Sequence, residues 1–281
     1  MTATMPGSKC RKRPRQPCTE TGSPMARGHK DKVAVVTGAA SGLGQAFALR
    51  LVEDGARVAM VDRAAADETA RRAQGKGAAA AAFACDVSDP KDVAKLAADV
   101  NAKFGRCDIL VNAAGIYPVQ SFDDISFEDW RRVLSVNLDS MFLMTKAFAG
   151  GMRQRGWGRI VNVASDTVSL TVPQFVHYIA SKSGVIGFTR AIATEFAAQG
   201  VTANIIAPGL TRTPGTLARP EHGWAGRNSV EGWFDMIAEH IPMQRVATPE
   251  DMVGTLSYLT SDDAAYVTGQ TIFVCGGLVR A

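Results

Sequence analysis

The sequence predicts an α/β fold: one doubly wound domain, a parallel sheet with helices on both faces. Three observations point there. Residues 33–63, VAVVTGAASGLGQAFALRLVEDGARVAMVDR, read as strand, glycine turn, helix and strand. Short β-branched runs then alternate with longer amphipathic stretches along the rest of the chain. Finally, 281 residues at 46% hydrophobic suit a single large domain with a sizeable buried core.

Residues 33–36 form a continuous apolar run of the kind buried on both faces of a parallel sheet. The turn that follows carries Gly38, Ser41, Gly42, Leu43 and Gly44, and a helix through Phe47, Leu49 and Leu51 ends at Gly55. Glycines in such a turn let the backbone approach a pyrophosphate, whose charge meets the N–H groups at the helix start. Residues 57–61 make the second strand, and Asp62 ends it. A carboxylate there can accept both ribose hydroxyls of an adenosine and would repel a 2′-phosphate. Arg63 is the counterweight, because a guanidinium beside the acid can reach a phosphate. The acid is expected to win, which makes NAD the predicted cofactor.

The alternation continues with a helix over 67–74, a strand over 80–84, a helix over 90–104 and a strand over 109–111. Asp86 and Val87, with Cys85, lie just past the third strand, where they can frame an adenine. Asn112, Ala113, Ala114 and Gly115 end the fourth strand, and their small side chains suit either a ribose or plain close packing. A long helix over about 127–154 carries Asn137 among Val133, Val136, Leu138 and Phe142. A polar amide in that pattern needs partners, so it is a structural clamp or part of a relay. A strand over 160–164, a second long helix running to about 198 and a strand over 201–207 follow. Residues 211–244 break the pattern with Gly, Pro, Trp224, Trp233, Phe234 and Met236, as a lid over the strand ends would. A helix near 249–259 and a strand over 271–274 close the domain.

Chemistry concentrates in residues 165–182, SDTVSLTVPQFVHYIASK. On a helix Lys182 lies one turn beyond Tyr178 on the same face. A cation beside a phenol favours the phenolate, so the pair can exchange protons nearer neutral pH. Ser165, arriving from a strand end, can hold the same substrate oxygen. Thr167, Leu170, Val172, Phe175 and His177 are expected on one side of this chemistry, with Tyr117, Leu210 and the lid on the other. Asp166 is the exception in that mostly apolar wall; it either faces solvent, caps the loop or reads a hydroxyl or amine of a substrate.

Residues 1–30 are rich in Pro, Gly, Ser, Lys and Arg and are expected to be a disordered basic extension. It reads as a localisation or polyanion-binding tail, or as dispensable with Met25 as the functional start. Seven basic residues against Glu20 concentrate positive charge there, leaving 24 basic and 26 acidic residues in the body. That balance offers no footprint for nucleic acid. No apolar run approaches a membrane span. Cys10, Cys18, Cys85, Cys107 and Cys275 are scattered without CxxC pairing, as in a reducing cytoplasm. They and the four histidines lack metal-ligand spacing, so no metal is expected.

Thr37, Gly38, Ser41, Gly42, Leu43 and Gly44 in the turn, NAAG at 112–115, Asn137, Ser165, Tyr178 with Lys182, and PGLTRT at 208–213 stand together in order. Through them residues 31–281 resemble the short-chain dehydrogenase/reductase family. The resemblance implies a seven-stranded parallel Rossmann sheet and a homotetramer. It implies cofactor contacts along Pro208, Gly209, Leu210, Thr211 and Thr213, with Tyr178 as acid/base, Ser165 orienting a carbonyl and Lys182 on the nicotinamide ribose. Asn137 would hold a water linking Lys182 to solvent. HYIASKSGVIGFTRA and the chain's ending are most similar to NAD-dependent secondary-alcohol dehydrogenases of the 1-phenylethanol and pyridoxal dehydrogenase type. Two departures stand out: NNAG is NAAG here, and Cys275 replaces the usual Asp before the last Gly pair.

The leading expectation is a hydride-transferring oxidoreductase using NAD and a small apolar or aromatic secondary alcohol or ketone. Its rival with the same chemistry is an NADPH-dependent 3-oxoacyl reductase. A dinucleotide-binding sensor or scaffold is the alternative of another class, and the complete set of Asn137, Ser165, Tyr178 and Lys182 weighs against it.

Overall fold

The structure, a computed structural model, describes residues 29–64, 66–75, 79–218 and 229–280. Strand β1 (Val33–Thr37) leads into α1 (Gly42–Glu53), β2 (Arg57–Asp62), α2 (Asp67–Gln74), β3 (Ala80–Ala84), α3 (Pro90–Phe104) and β4 (Ile109–Asn112). The chain continues through α4 (Phe127–Leu134), a π-helical stretch (Ser135–Asp139), α5 (Ser140–Arg155), β5 (Gly158–Val163), α6 (Thr167–Leu170), α7 (Val176–Phe196) and β6 (Val201–Pro208). The short helix α8 (Pro214–Leu217), then α9 (Val230–Ala238), α10 (Glu250–Thr260) and β7 (Thr271–Val274) follow. All strand pairs are parallel, in the order β3-β2-β1-β4-β5-β6-β7.

The continuous apolar reading of β1 has a direct cause. Val33 and Val35 point into a core layer with α3, α5 and α7, whereas Ala34 and Val36 point into the opposite layer with α1, α2 and α10. Both faces of the strand are therefore dry, and no polar alternation survives. The helices are bounded by local chemistry. Asp89 caps α3, its carboxylate accepting from Lys91 N at 2.7 Å, Pro90 opens the helix, and Gly105 ends it at φ 80°.

The expected order of elements holds, with two differences at the helices. The long helix predicted over 127–154 is interrupted by the π-helical turn around Asn137, and the second long helix ends at Phe196. Single π turns inside helices commonly mark functional positions, because the widened turn re-aims side chains and frees backbone groups. Trp224 and the extension at 1–28 lie outside the described residues. Among the described residues no helix is long and apolar enough to cross a membrane.

Candidate active site

The strand order reverses between β1 and β4, and the carboxyl ends of β1, β4, β5 and β6 open there onto one crevice. Its floor is backbone held at close quarters. A Cβ on Gly38, whose φ is 70°, would lie 2.9 Å from Ala114 N, and one on Gly44 would lie 2.1 Å from Gly38 O. These positions therefore need glycine, which lets the turn fold down beside the fourth strand. Thr37 ties the two together, its hydroxyl accepting from Ala113 N at 3.0 Å and Ala114 N at 3.1 Å. Ala113 so contributes through its backbone, and the missing second Asn of the NNAG pattern costs this contact nothing.

The first turn of α1 carries no acidic residue, and Ser41, its N-cap, makes no side-chain capping bond. Its positive end is left uncompensated, as an anion-binding turn requires. Asp62 is held at the end of β2 by accepting from Ala40 N at 3.0 Å and Ala64 N at 3.1 Å, while Arg63 is exposed beside it. Asp86 is engaged by Ser88, whose backbone N and hydroxyl donate to it and hold its carboxyl below the usual range; Val87 is buried. Asn112 donates to Asn162 Oδ1 at 2.8 Å, and its own buried Oδ1 has no protein partner. These features fit a bound dinucleotide: a glycine cradle, an uncompensated helix start, an acid at a strand end and an orphaned acceptor.

Three predicted residues converge at the other end of the crevice. Tyr178, on the first turns of α7, stands beside Ser165 from the end of β5, whose hydroxyl favours ionisation of the phenol. Its ring meets Phe175 at 5.7 Å and Tyr117 at 6.2 Å, both edge-on, forming an aromatic wall. Lys182, one turn along α7, is buried and donates to Val163 O at 2.8 Å. Ser165 also accepts from Thr167 N at 3.2 Å and Thr167 Oγ1 at 2.9 Å.

Electrostatics here differ from the sequence expectation. Lys182 does not make the phenol acidic in the protein alone: burial pushes Tyr178 up to about 12, with Asp166 and Tyr117 adding in the same direction. The ammonium sits 5.8 Å from the ring centroid and is engaged by a carbonyl, so desolvation wins. The same burial brings Lys182 down to about 8. Asp166 does not face solvent. It is 4% exposed beside Ser165, and burial raises its carboxyl to about 6. Its Oδ2 would lie 3.2 Å from a Cβ on Gly209, so glycine there makes room for the acid.

Asn137 is fully buried, and its side chain clamps the loop after β4. Its Oδ1 accepts from Ile116 N at 2.8 Å, and Nδ2 donates to Ile116 O at 2.9 Å and Ser181 Oγ at 3.0 Å. Ser181 in turn donates to Tyr178 O at 2.7 Å. Of the two sequence readings, the clamp is the one its side-chain contacts describe. Gly115 packs into the same junction, where a Cβ would stand 3.2 Å from Asn137 Oδ1 and 3.4 Å from Lys182 Nζ.

The 208–213 strap completes the crevice. Thr213 caps α8, a Cβ on Gly42 would lie 3.4 Å from its Cβ, and Thr211 Oγ1 donates to Gly209 O at 2.8 Å. Leu210 is half-buried, and Pro208 ends β6. Arg212 stacks on Phe234 at 4.4 Å and forks onto Glu231 at 2.7 and 2.8 Å, tying α9 to the strap. Trp233 and Phe234 are consequently buried.

Sequence reasoning overlooked Ser181, Asn162 and Thr189. Asn162 bridges Asn112 to Thr189 Oγ1 on α7, a buried polar chain running from the fourth strand to the helix that bears Tyr178. Polar residues inside otherwise apolar runs were the available signal. His177, expected in the pocket wall, is fully buried and hydrogen-bonds Tyr178 N and Gln120 Oε1 beside the site. Cys275 Sγ accepts from Val279 N at 3.2 Å, a packing contact at the end of β7.

Comparison with known proteins agrees with this geometry. A family model described as enoyl-(acyl carrier protein) reductase matches residues 38–279. The D-threitol dehydrogenase of Mycolicibacterium smegmatis is 39% identical over 248 residues, covering 88% of this chain and 92% of that protein. A 3-oxoacyl-[acyl-carrier-protein] reductase of Synechocystis is 37% identical over 252 residues, covering 88% and 97%. A solved structure from Beutenbergia cavernae, with bound NADP at low occupancy, superposes with a TM-score of 0.83 at 38% identity over 90% of this chain and 98% of its own. With its parallel sheet, glycine turn and Ser165, Tyr178 and Lys182 at one crevice, the chain belongs to the short-chain dehydrogenase/reductase family of oxidoreductases.

Proposed function

We propose that the protein transfers a hydride between NAD(H) and a small apolar or aromatic secondary alcohol or ketone. The observation that carries this reading is the convergence of Tyr178, Ser165 and Lys182 behind an aromatic wall of Tyr117 and Phe175. That wall suits an apolar substituent beside the reacting carbon. NAD when bound supplies the hydride acceptor, and the glycine turn, Asp62, Asn112, Lys182 and the 208–213 strap are the residues that would hold it. The preference for NAD over NADP rests on the charge of Asp62 at the strand end.

Tyr178 exchanges the proton at the substrate oxygen, and Ser165 hydrogen-bonds that oxygen to set its approach. With the phenol at about 12, Tyr178 stands in its acid form at neutral pH, ready to protonate a carbonyl oxygen in reduction. Lys182 places a buried cationic group one turn away. The strap, α8 and α9 act as the lid, with the Arg212–Glu231 pair fastening α9 to the strap. A homotetramer in the cytoplasm is the assembly and compartment this family reading favours.

A second reading, an NADPH-dependent 3-oxoacyl reductase, draws support from the Synechocystis relative and from the exposed Arg63 beside Asp62. A panel of aryl and alkyl ketones, their alcohols and a 3-oxoacyl thioester, each with NADH and NADPH or their oxidised forms and followed at the nicotinamide absorbance, separates the readings. Turnover of ketones or alcohols with NAD(H) is the expected result. Thioester reduction with NADPH alone would favour the second reading, and binding without turnover on the whole panel would favour a sensor.

A further inference from the structure

We propose that His177 is a positioning residue: a neutral imidazole latch that seats the start of α7, and with it Tyr178, against the loop bearing Tyr117, and that lets go on protonation. The proposal rests on the reading of Tyr178 as the acid/base.

The first turn of a helix has N–H groups without intrahelical acceptors. In α7 the N-cap is Phe175, which makes no side-chain capping bond, and no acidic residue lies in the first turn. The Tyr178 N–H finds its acceptor in the neighbouring side chain, donating to His177 Nδ1 at 2.9 Å. That bond settles the tautomer. With Nδ1 accepting, the ring proton sits on Nε2 and donates to Gln120 Oε1, 3.1 Å away. Gln120 Nε2 then donates to Asp129 Oδ2 at 3.2 Å, and Gln120 N donates to Gln174 O at 3.1 Å.

The chain of bonds joins three pieces of the site: the start of α7, the 116–121 loop and the 171–174 turn. That turn is strained, with Thr171 at φ 49° and Gln174 at φ 66°. It needs an external hold, and the Gln120 bond provides one.

A second proton on His177 has nowhere to go. Nδ1 would become a donor facing the Tyr178 N–H, itself a donor, and a positive charge would appear at a helix N-terminus. The ring is fully buried, so water cannot relieve the conflict. The charged groups acting on it are Asp129 and Arg132, both from α4 and opposed in sign, and the phenol of Tyr178 nearby is neutral around neutral pH. Burial is the largest influence and pushes the imidazole below its ordinary range. A depressed histidine contributes fully above its unfolded value of about 6.5, and the contribution is lost as pH falls through the lower folded value.

Two measurements on the full chain test this. The first is side-chain nitrogen NMR of the unliganded wild type, in which His177 should be neutral with its proton on Nε2 at neutral pH. It should titrate below the ordinary histidine range, with the Tyr178 amide moving in step. The second is the pH profile of kcat for wild type, His177→Asn and His177→Leu. Asn keeps a non-titrating acceptor where Nδ1 stands but does not reach Gln120, so it should lower kcat above neutral pH by less than Leu does and should lose the acid limb. Leu should lower kcat by roughly 10-fold or more at every pH, since a misplaced catalytic group costs that much or more. A His177 that titrates at its ordinary value without moving the Tyr178 amide, or an Asn variant with the wild-type acid limb, would overturn the proposal. Asp166 titrates in a nearby window, which is why the imidazole is read directly. The NMR arm needs no turnover, so failure of the acid–base assignment would show separately as an active Tyr178→Phe enzyme.

Discussion

Replacing Asn137 by Ala removes the amide that joins the loop after β4 to α7. Three hydrogen bonds go with it, to Ile116 N, Ile116 O and Ser181 Oγ, from a side chain with no solvent exposure. Each partner is left inside the protein, so the cost per bond is on the order of 1 kcal/mol and the sum about 3 kcal/mol. For a domain of this size that corresponds to a fall in Tm of roughly 6–12 °C. Urea unfolding followed by circular dichroism measures it, with the slope of the transition checked for constancy. Activity should fall too, because Gly115 and Lys182 Nζ stand at the same junction and the loop sets the Tyr117 wall. Asn137→Asp should be at least as damaging, since it sets a buried oxygen against the Ile116 carbonyl. An Ala variant losing less than about 1 kcal/mol would refute the clamp, because a single ordinary hydrogen bond would account for it.

Asp62→Ala should raise the ratio of NADPH to NADH efficiency by roughly 10-fold, about 1.4 kcal/mol of removed repulsion, and an unchanged ratio measured by initial rates would count against the charge argument. Lys182→Met should abolish most activity yet stabilise the fold by about 1–3 kcal/mol at neutral pH, because the wild type buries an ammonium whose pKa is brought down to about 8. The sign follows from the depressed value. The folded state sheds its proton near 8 and the unfolded chain near 10.5, so wild-type stability should climb with pH between them and the Met variant should lack that rise. Denaturant midpoints at several pH values test it, and parallel curves would contradict it. Asp166→Asn removes a negative neighbour that pushes Tyr178 up, so the pH profile for alcohol oxidation should move toward lower pH; an unmoved profile would deny Asp166 that influence.

Much of this was legible in the sequence, for reasons that differ by region. The strands β1, β4, β5 and β6 are buried over their whole length, which leaves mostly apolar runs, interrupted in β5 and β6 by the buried polar residues Arg159, Asn162, Thr202 and Asn204. The glycine turn was readable because Gly38 and Gly44 sit where a Cβ would strike backbone. Helical spacing put Tyr178 and Lys182 on one face, and the resemblance gave them their roles. What escaped was set by side-chain orientation. His177 sits next to Tyr178 in sequence, yet a helix turns neighbours about 100° apart, and it faces the interior. The π turn at Asn137 also has no periodic signature, since the residues on either side keep an ordinary helical pattern. The phenol's acidity likewise depends on a balance of burial against charge that spacing cannot reveal.

The assignment of Tyr178 as the proton-exchanging group is tested most directly by Tyr178→Phe. The substitution keeps the ring and its edge-on contacts with Tyr117 and Phe175 and deletes only the hydroxyl that stands beside Ser165. Steady-state kcat should fall on the order of 10²-fold or more, while NADH binding by fluorescence titration stays close to wild type, because the glycine turn and Asp62 are untouched. Near-normal turnover in the Phe variant would contradict the account and require another residue to exchange the proton.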